Sequence, residues 1–388
     1  MAKNIVAGLD IGTAAVRLVV GEVASETGRM RVLAQIKKNS SGLRRGYVVN
    51  YEETTTAVRE VLVEAERQLK FRVKSVYLAI GGITLEAKES LGQIAVAKAD
   101  LEITDTDVKR VVEVSEANLT DFANRRVIHT IPLGFKLDGK KILGRPEGLK
   151  GNKLEVRTLF INCLNQHLED LIQVVESAGL IVEDIVAAPV AASLPVLTPP
   201  QKAAGCVLAN IGSQTTSIIV YEDGTPISLQ VFPLGSNDVT NDIALGLRIS
   251  LDEAEKMKLE GSGSTVNIQR KLDEIIEARL SDMFELIENH LKKLGRDGLL
   301  PAGIIIVGGG AHVDDIEKLA KTTLRLPAKI FDPSTEPYLK SQLRDSPWAV
   351  AYGLCLSGLG NGPGERPRGP GLTELLRRAV RSTKAFWP

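Results

Sequence analysis

The stretch NIVAGLDIGTAAVRLVVGEV at residues 4–23 decides the fold of this chain. Its two apolar runs on either side of a Gly-Thr-Ala turn predict two β-strands joined as a hairpin. Asp10 ends the first strand, and Gly12, Thr13 and Ala14 form the turn. Backbone N–H groups in such a turn can converge on phosphate oxygens, so the motif predicts an anion-binding loop.

A second stretch, CVLANIGSQTTSIIVYEDG at 206–224, repeats this pattern in the other half of the chain. The repeat predicts two halves of one design with a cleft between them. The hydroxyls of Ser213 and Thr215 would add hydrogen-bond donors to the second loop. The positions superposed by a shift of 200 include Asp10 and Asn210, Gly12 and Gly212, Thr13 and Ser213, and Val20 and Val220.

A third glycine loop, Gly308-Gly309-Gly310, follows the apolar run at 303–307 and precedes a predicted helix. Any one of the three loops alone could be a turn that serves only the backbone, but together they favour a nucleotide site. No G-x-G-x-x-G opens a helix after the first strand, and no G-x-x-x-x-G-K-[ST] occurs, which argues against Rossmann and P-loop proteins. Asp10 could organise the waters around a Mg²⁺ ion.

The composition sets wider limits. At 388 residues the chain exceeds one ordinary core, so two or more subdomains are expected. Lys+Arg and Asp+Glu both total 48, which argues against nucleic acid as a partner. Three scattered cysteines without a signal peptide predict a cytoplasmic protein with core thiols, and no uncharged apolar run is long enough to span a bilayer.

The three loops resemble the phosphate-1, phosphate-2 and adenosine motifs of the actin, Hsp70 and sugar-kinase superfamily. Within it, the segments at 42–68, 75–82 and 125–163 resemble the FtsA family of bacterial cell-division proteins. The resemblance implies an α/β, two-lobed actin-like fold of ribonuclease H-like repeats, with an inserted α+β SHS2 subdomain called 1C. It also implies ATP and Mg²⁺ as cofactors.

The same resemblance implies the domain organisation. Subdomain 1A would comprise 1–82 and 164–202, and subdomain 1C would comprise 83–163. Subdomain 2A would comprise 203–245 and 301–357, with 2B at 246–300. A flexible linker at 358–371 and a membrane-targeting amphipathic helix at 372–388 would follow.

Further nucleotide contacts come from the resemblance alone. They are Gln214 and Gly235 beside the second loop, and Glu253 and Lys256 as the E-x-x-K pair of the helix that flanks adenine. The alternative for Glu253 and Lys256 is an ordinary surface ion pair. Asn210 departs from the family pattern, which has Asp there, so we expect ATP to act as an assembly ligand with weak turnover.

The C-terminal residues carry a different signal. From Gly358 the composition is rich in Gly and Pro, which predicts a tether, and LTELLRRAVRSTKAFWP at 372–388 then predicts a basic amphipathic helix. Such a helix can lie on an anionic membrane, or alternatively dock on its own core or on a partner. The predicted membrane contacts are Leu372, Leu375, Leu376, Arg377, Arg378, Arg381, Phe386 and Trp387.

As a member of such a family, the protein would polymerise, bind the C-terminal tail of the tubulin-like protein FtsZ on 2B, and recruit later division proteins through 1C. Arg279 is the candidate contact for the acidic tail. The location would be the cytoplasmic face of the membrane at the division site. A PilM-like scaffold of pilus assembly and a small-molecule kinase of the same superfamily are the alternatives.

Overall fold

The computed structural model describes residues 5–23, 30–97, 100–120, 122–261, 266–311, 313, 315–336, 338–340 and 342–361. The first lobe begins with β1 (Ile5–Ile11), β2 (Ala15–Val23), β3 (Met30–Asn39), β4 (Leu43–Arg44), β5 (Tyr47–Val48), α1 (Tyr51–Leu69) and β6 (Ser75–Ile80). An insertion follows, with β7 (Glu86–Ala95), α2 (Asp105–Ala117), β8 (Arg125–Leu137), β9 (Lys140–Ile142) and β10 (Lys153–Leu164). The lobe is completed by α3 (Asn165–Ser177), β11 (Ile181–Ala187), α4 (Ala188–Val196) and α5 (Pro199–Ala204).

The second lobe opens with three strands. Its elements are β12 (Cys206–Ile211), β13 (Thr216–Glu222), β14 (Thr225–Phe232), α6 (Ser236–Leu247), α7 (Leu251–Glu260), α8 (Val266–Lys293), β15 (Ile304–Val307), α9 (Ile316–Leu324) and β16 (Ala328–Ile330). The last helix, α10 (Ala349–Leu356), returns to the first lobe and packs on α4, β1, β2 and β6.

The two lobes have the same sheet plan. The first sheet has the order β3-β2-β1-β6-β11 and the second has β14-β13-β12-β15-β16. In each, an antiparallel hairpin supplies the centre and a parallel strand joins its first member. The predicted internal repeat is therefore present as two copies of one five-stranded sheet.

The registers of the two hairpins also match. Asp10 lies opposite Arg17 across β1 and β2, and Asn210 lies opposite Ser217 across β12 and β13. Both pairs obey the shift of 200 positions that the sequence predicts. The hairpin turns consequently occupy the same place in the two lobes.

The insertion is an antiparallel sheet of order β7-β10-β8-β9 that carries α2 on one face. Val111 of α2 is fully buried against Leu154 and Val156 of β10. Burial of three such aliphatic side chains stabilises the packing by roughly 1.5–3 kcal/mol each. The insertion thus has its own small core.

Two helices hold the lobes together. Helices α4 and α10 pack against each other, and both lie within a core that includes strands of each lobe. Ser193 of α4 hydrogen-bonds the hydroxyl of Tyr221 on β13 at 2.7 Å, and both side chains are buried. A satisfied polar contact of this kind fixes where the lobes meet without leaving an unpaired hydroxyl.

The chain stays packed on the protein at Gly358, where the tether was predicted to begin. Residues Ser357–Asn361 form a wide turn after α10 with Gly360 in the left-handed region, and a Cβ at Gly358 would lie 2.6 Å from the ring of Tyr77. The first residues of the predicted linker are therefore packed on the first lobe, because a residue without a side chain fits against that ring. The rest of the linker and the predicted amphipathic helix, 362–388, lie outside the described residues.

Candidate functional site

A cleft of about 390 Å³ lies where the two hairpin turns and the glycine loop after β15 meet. This volume falls within the range of about 300–1,000 Å³ that is usual for small-molecule sites. Ten of the fifteen predicted nucleotide-binding residues line it. They are Asp10, Gly12, Thr13, Ala14, Asn210, Gly212, Ser213, Thr215, Gly308 and Gly309.

The two turns are nearly congruent. The amide of Gly12 donates to the carbonyl oxygen of Ala15 at 3.1 Å, and the amide of Gly212 donates to that of Thr215 at 2.9 Å. A Cβ on either glycine would lie 3.0 Å from the same carbonyl. Both turns are thus closed by one hydrogen bond and face the same space from opposite lobes.

Gly308 requires glycine for two reasons. Its φ of 100° lies in the left-handed region, and a Cβ there would be 2.4 Å from Asn210 Oδ1 and from the backbone oxygen of Ile211. The loop after β15 can approach the second turn this closely only because position 308 has no side chain. Gly309, the next residue, has open space around it.

The first turn carries a carboxylate, Asp10, whose pKa is shifted by its surroundings. Burial raises the pKa of Asp10 to about 6, and the positive charge of Arg17 opposes that shift only in part. Arg17 itself lines the cleft, and its buried Nε has no hydrogen-bond partner among the described residues. A guanidinium with a buried, unpaired N–H is a donor available to an anion.

The sequence alone did not identify two cations of the cleft, Arg17 on β2 and Lys37 on β3. A signal for Arg17 was present. With the turn at 12–14, the register of the hairpin puts position 17 opposite Asp10. Lys37 had no such signal, because the connection from β2 to β3 does not determine register by its sequence.

The assignment of Glu253 and Lys256 to the cleft is wrong. Glu253 closes a capping box with Ser250 at the start of α7, its carboxylate accepting from the Ser250 amide at 3.0 Å. Lys256 is on the exposed side of the helix, 3.9 Å from Glu260. Neither lines the cleft. A Ser followed three residues later by Glu is itself the signature of a capping box, which the sequence displayed.

The same E-x-x-K spacing recurs two residues later, with Glu255 in the cleft wall. Lys258 is buried and donates to Glu255 at 2.6 Å and to the hydroxyl of Thr240 at 2.8 Å. Burial alone would raise the pKa of Glu255, but the hydrogen bonds from Lys258 and Thr240 hold it below its usual value. Helix α7 therefore presents an ionised carboxylate to the cleft.

Three other predicted residues support the cleft from behind. A Cβ at Gly235 would lie 2.6 Å from the backbone of Ser213, and one at Gly310 would lie 2.5 Å from the side chain of Ile211. Gln214 turns to the other lobe, where its Oε1 accepts from the backbone amide of Arg45 at 2.8 Å. These residues shape the loops and do not line the cavity.

Arg279 lies outside the cleft, in α8. Its Nε donates to Asp242 of α6 at 2.5 Å, and its Nη1 donates to Asp282 at 3.1 Å. The hydrogen bond to Asp242 raises the pKa of Arg279 further. The guanidinium thus joins two helices, and an acidic peptide would have to compete with these carboxylates.

The described residues contain neither a metal-binding cluster nor a membrane-spanning helix. In the ranges given above, no three His, Cys, Asp or Glu side chains form a group able to hold a metal ion. No helix of these ranges has the length and hydropathy needed to cross a membrane.

Two copies of one sheet, with matching turns that face a common cleft, define the class of actin-like two-lobed proteins. A family model described as cell division protein FtsA matches residues 207–353, and a model described as the SHS2 domain inserted in FtsA matches 82–162. Together the two models match more than half of the chain, and the chain belongs to the FtsA family.

Named relatives agree with this family. Cell division protein FtsA of Pseudomonas aeruginosa is 29% identical over 377 residues, covering 92% of this chain and 89% of the relative. FtsA of Bacillus subtilis is 28% identical, covering 89% of this chain and 81% of the relative.

Solved structures confirm the predicted fold class. A PilM-PilN type IV pilus biogenesis complex matches with a TM-score of 0.67 at 20% identity, covering 91% of this chain and 98% of that chain. MreB5 of Spiroplasma citri bound to ADP matches with a TM-score of 0.51 at 14% identity, covering 99% of each chain. At these identities the likeness concerns the fold alone.

Proposed function

We propose that the protein binds ATP with Mg²⁺ between its lobes and, in that state, attaches FtsZ to the membrane during division. The nucleotide part rests on the pair of congruent turns, each with a hydroxyl residue, which face one cleft beside the unpaired Nε of Arg17. Backbone amides from two lobes and a guanidinium are the donors that a polyphosphate needs.

The remaining lining residues fit the rest of the nucleotide. Gly308 and Gly309 leave room beside the second turn, and Glu255 offers a carboxylate to ribose hydroxyls. Asp10 would hold Mg²⁺ through water, since this ion commonly uses one or two protein carboxylates together with phosphates. A structure of MreB5 bound to AMPPNP shows that a protein of this fold accommodates such a ligand.

Lys258 provides the sharpest test of the corrected helix assignment. Replacing Lys258 with Met should weaken ATP binding about tenfold or more, because Glu255 loses the donor that orients it. The matched control is Lys256→Met on the exposed side of α7, which should leave the affinity unchanged. Equal losses, measured by titration with a fluorescent ATP analogue, would contradict the assignment.

Turnover is proposed to be slow. Asn210 occupies the position that Asp10 has in the first turn, and an amide can neither take a proton nor add charge for Mg²⁺. We expect Asn210→Asp to increase phosphate release at least several-fold. Phosphate release by the unmodified protein at the rate of a metabolic kinase would refute slow turnover.

Membrane attachment is proposed for the amphipathic residues 372–388, on the charge and apolar pattern of their sequence. We expect the full chain to float with anionic liposomes and a chain ending at Asn361 to float much less. That end point keeps the turn at Ser357–Asn361, which is packed on the first lobe. Equal flotation would refute this part of the proposal.

The partners follow from family membership. We propose that the FtsZ tail binds subdomain 2B, that the lobes associate into filaments, and that 1C receives later division proteins. A tail peptide of FtsZ should retain the protein in a pull-down, and Arg279→Glu should reduce retention. Because Arg279 also joins α6 and α8, Asp282→Asn on the same helix serves as the control for loss of an ion pair. Retention unaffected by Arg279→Glu would remove Arg279 from the binding site.

A further inference from the structure

One end of the insertion carries a concentration of positive charge. We call it the basic tip, defined by Lys136, Lys140, Lys141, Leu143 and Lys150. All five side chains are exposed. The only carboxylates between positions 136 and 150 are those of Asp138 and Glu147, whereas the chain as a whole has equal numbers of positive and negative residues.

The nearby acidic residue does not neutralise the lysines. The carboxylate of Asp138 accepts hydrogen bonds from the backbone amides of Asn152, at 3.1 Å, and Lys153, at 2.9 Å. It thereby fixes the turn after β8. Both of its oxygens are occupied by these backbone donors.

The arrangement includes a direct repulsion. Lys136 of β8 and Lys141 of β9 are cross-strand partners in the antiparallel register. Like charges that lie directly opposite each other destabilise a sheet. Such a pair is therefore a cost to the fold, and an anionic partner would relieve it.

An apolar side chain stands among these charges. Leu143 follows β9 and is 90% exposed, whereas Ile142 beside it packs on the core of the insertion with Phe135. The turns on either side of it are open, because a Cβ at Gly139 or Gly144 would meet nothing within 4 Å. An exposed leucine close to several lysines is suited to a membrane interface.

A protein partner is a weaker fit. Strand β9 is the edge of its sheet but comprises only Lys140–Ile142, so it offers little backbone to an added strand. The open space around the turn also means that no wall is present beside Leu143 to form a groove. A lipid surface needs neither a long edge nor a groove.

We infer that the basic tip binds the surface of an anionic lipid membrane, with Leu143 entering the interface and the lysines contacting headgroups. This contact is separate from the one proposed for residues 372–388. Two contacts on one membrane would raise the apparent affinity and limit the orientations of the protein on the surface.

The first test is the partition coefficient of the full chain on vesicles of phosphatidylglycerol and phosphatidylcholine in equal parts. The double variant Lys140→Gln/Lys141→Gln should bind about 30-fold more weakly, as expected for two near-surface cations. The matched control, Lys318→Gln/Lys321→Gln on exposed positions of α9, should bind within about twofold of the unmodified protein. Equal losses in both pairs would overturn the assignment of the tip.

The second test locates the contact. A thiol introduced as Leu143→Cys can be labelled with an environment-sensitive fluorophore, because Cys163, Cys206 and Cys355 are all buried. Its emission should shift to the blue on addition of vesicles, while a label at Leu91→Cys, on the exposed face of β7, should not shift.

The outcomes separate the two membrane contacts. Vesicle binding with no shift at position 143 overturns the basic tip and leaves the C-terminal proposal intact. A shift at 143 together with equal flotation of the full chain and the chain ending at Asn361 supports the tip and removes the C-terminal helix. A shift with an acidic peptide but not with vesicles would assign a protein partner and overturn the membrane inference.

Discussion

The two turns that face the cleft have almost the same backbone and different chemistry. Each is closed by one amide-to-carbonyl hydrogen bond across the same register. Backbone donors require only glycine and this register, so both turns retain them, whereas charge is present in one turn only. The differences that change charge or contacts between the lobes are Asp10 against Asn210, Arg17 against Ser217, and Ala14 against Gln214.

This difference assigns separate tasks to the two lobes. The first turn combines a carboxylate whose pKa is raised to about 6 with a guanidinium. The second turn is uncharged, supports the loop at Gly308 and reaches the first lobe through Gln214. The first turn therefore supplies charged groups to the cleft. The second turn supplies contacts to the loop at Gly308 and to the first lobe. Each of the four predictions below tests one side of this comparison.

The largest effect should follow from Gly308→Ala, which disrupts the support of the second turn. The new Cβ would collide with Asn210 Oδ1 and the oxygen of Ile211 and would occupy a left-handed conformation. We expect a loss of about 3 kcal/mol in the free energy of unfolding, measured in urea, and loss of ATP binding. Gly309→Ala, with open space around its Cα, should change stability by no more than about 0.5 kcal/mol. Similar losses for both would show that the contact with the second turn is not the cause.

The next largest effect is the pH dependence of folding stability that Asp10 of the first turn causes. The folded pKa of Asp10, about 6, lies above the usual value of 3.8, so folding disfavours its ionised form. The folded state then binds more protons than the unfolded state between about pH 4 and 6, and stability falls as pH rises through this window. The cost, fully present above about pH 6, is up to about 3 kcal/mol.

Asp10→Asn removes this titration and makes the first turn resemble the second. Relative to the unmodified protein without nucleotide, the variant should gain stability as pH rises from 4 to 6 and show a constant difference above that. Urea unfolding at several pH values measures this. A stability difference that does not change with pH would mean that burial does not raise the pKa of Asp10.

A smaller effect should appear in the Mg²⁺ dependence of ATP binding. Asp10→Asn should weaken binding about tenfold in the presence of Mg²⁺, corresponding to about 1.4 kcal/mol, because one carboxylate no longer holds the waters of the ion. With EDTA the two proteins should bind ATP with similar affinity, or the variant slightly better. An equal loss with and without Mg²⁺ would instead assign Asp10 to the fold of the turn.

The smallest effect should come from Gln214→Ala, which gives the second turn the residue that the first has at position 14. It removes the hydrogen bond to the amide of Arg45 and should cost about 1 kcal/mol, seen as a modest loss of thermal stability and a wider cleft in solution scattering. Gln93→Ala, at an exposed position of β7, is the control. A change no larger than in the control would show that this contact does not join the lobes.

Some features were predictable because they depend on local patterns. The hairpins, the shift of 200 and the positions of the glycine loops follow from alternation, turn residues and repetition, and the structure confirms them. The error at α7 had a different origin. Two E-x-x-K pairs overlap in that helix, and a spacing alone cannot decide which face of a helix meets the cleft.

By itself, the sequence determined that this chain contains two copies of one hairpin, each with a turn suited to phosphate. The repeated glycines and apolar runs specify local backbone, which needs no knowledge of distant residues. Only the tertiary structure decided that Arg17 has a buried unpaired donor in the cleft, that Glu255 and not Glu253 faces it, and that Gln214 joins the lobes. These properties depend on which surfaces become buried against each other, and burial is set by the packing of the whole chain.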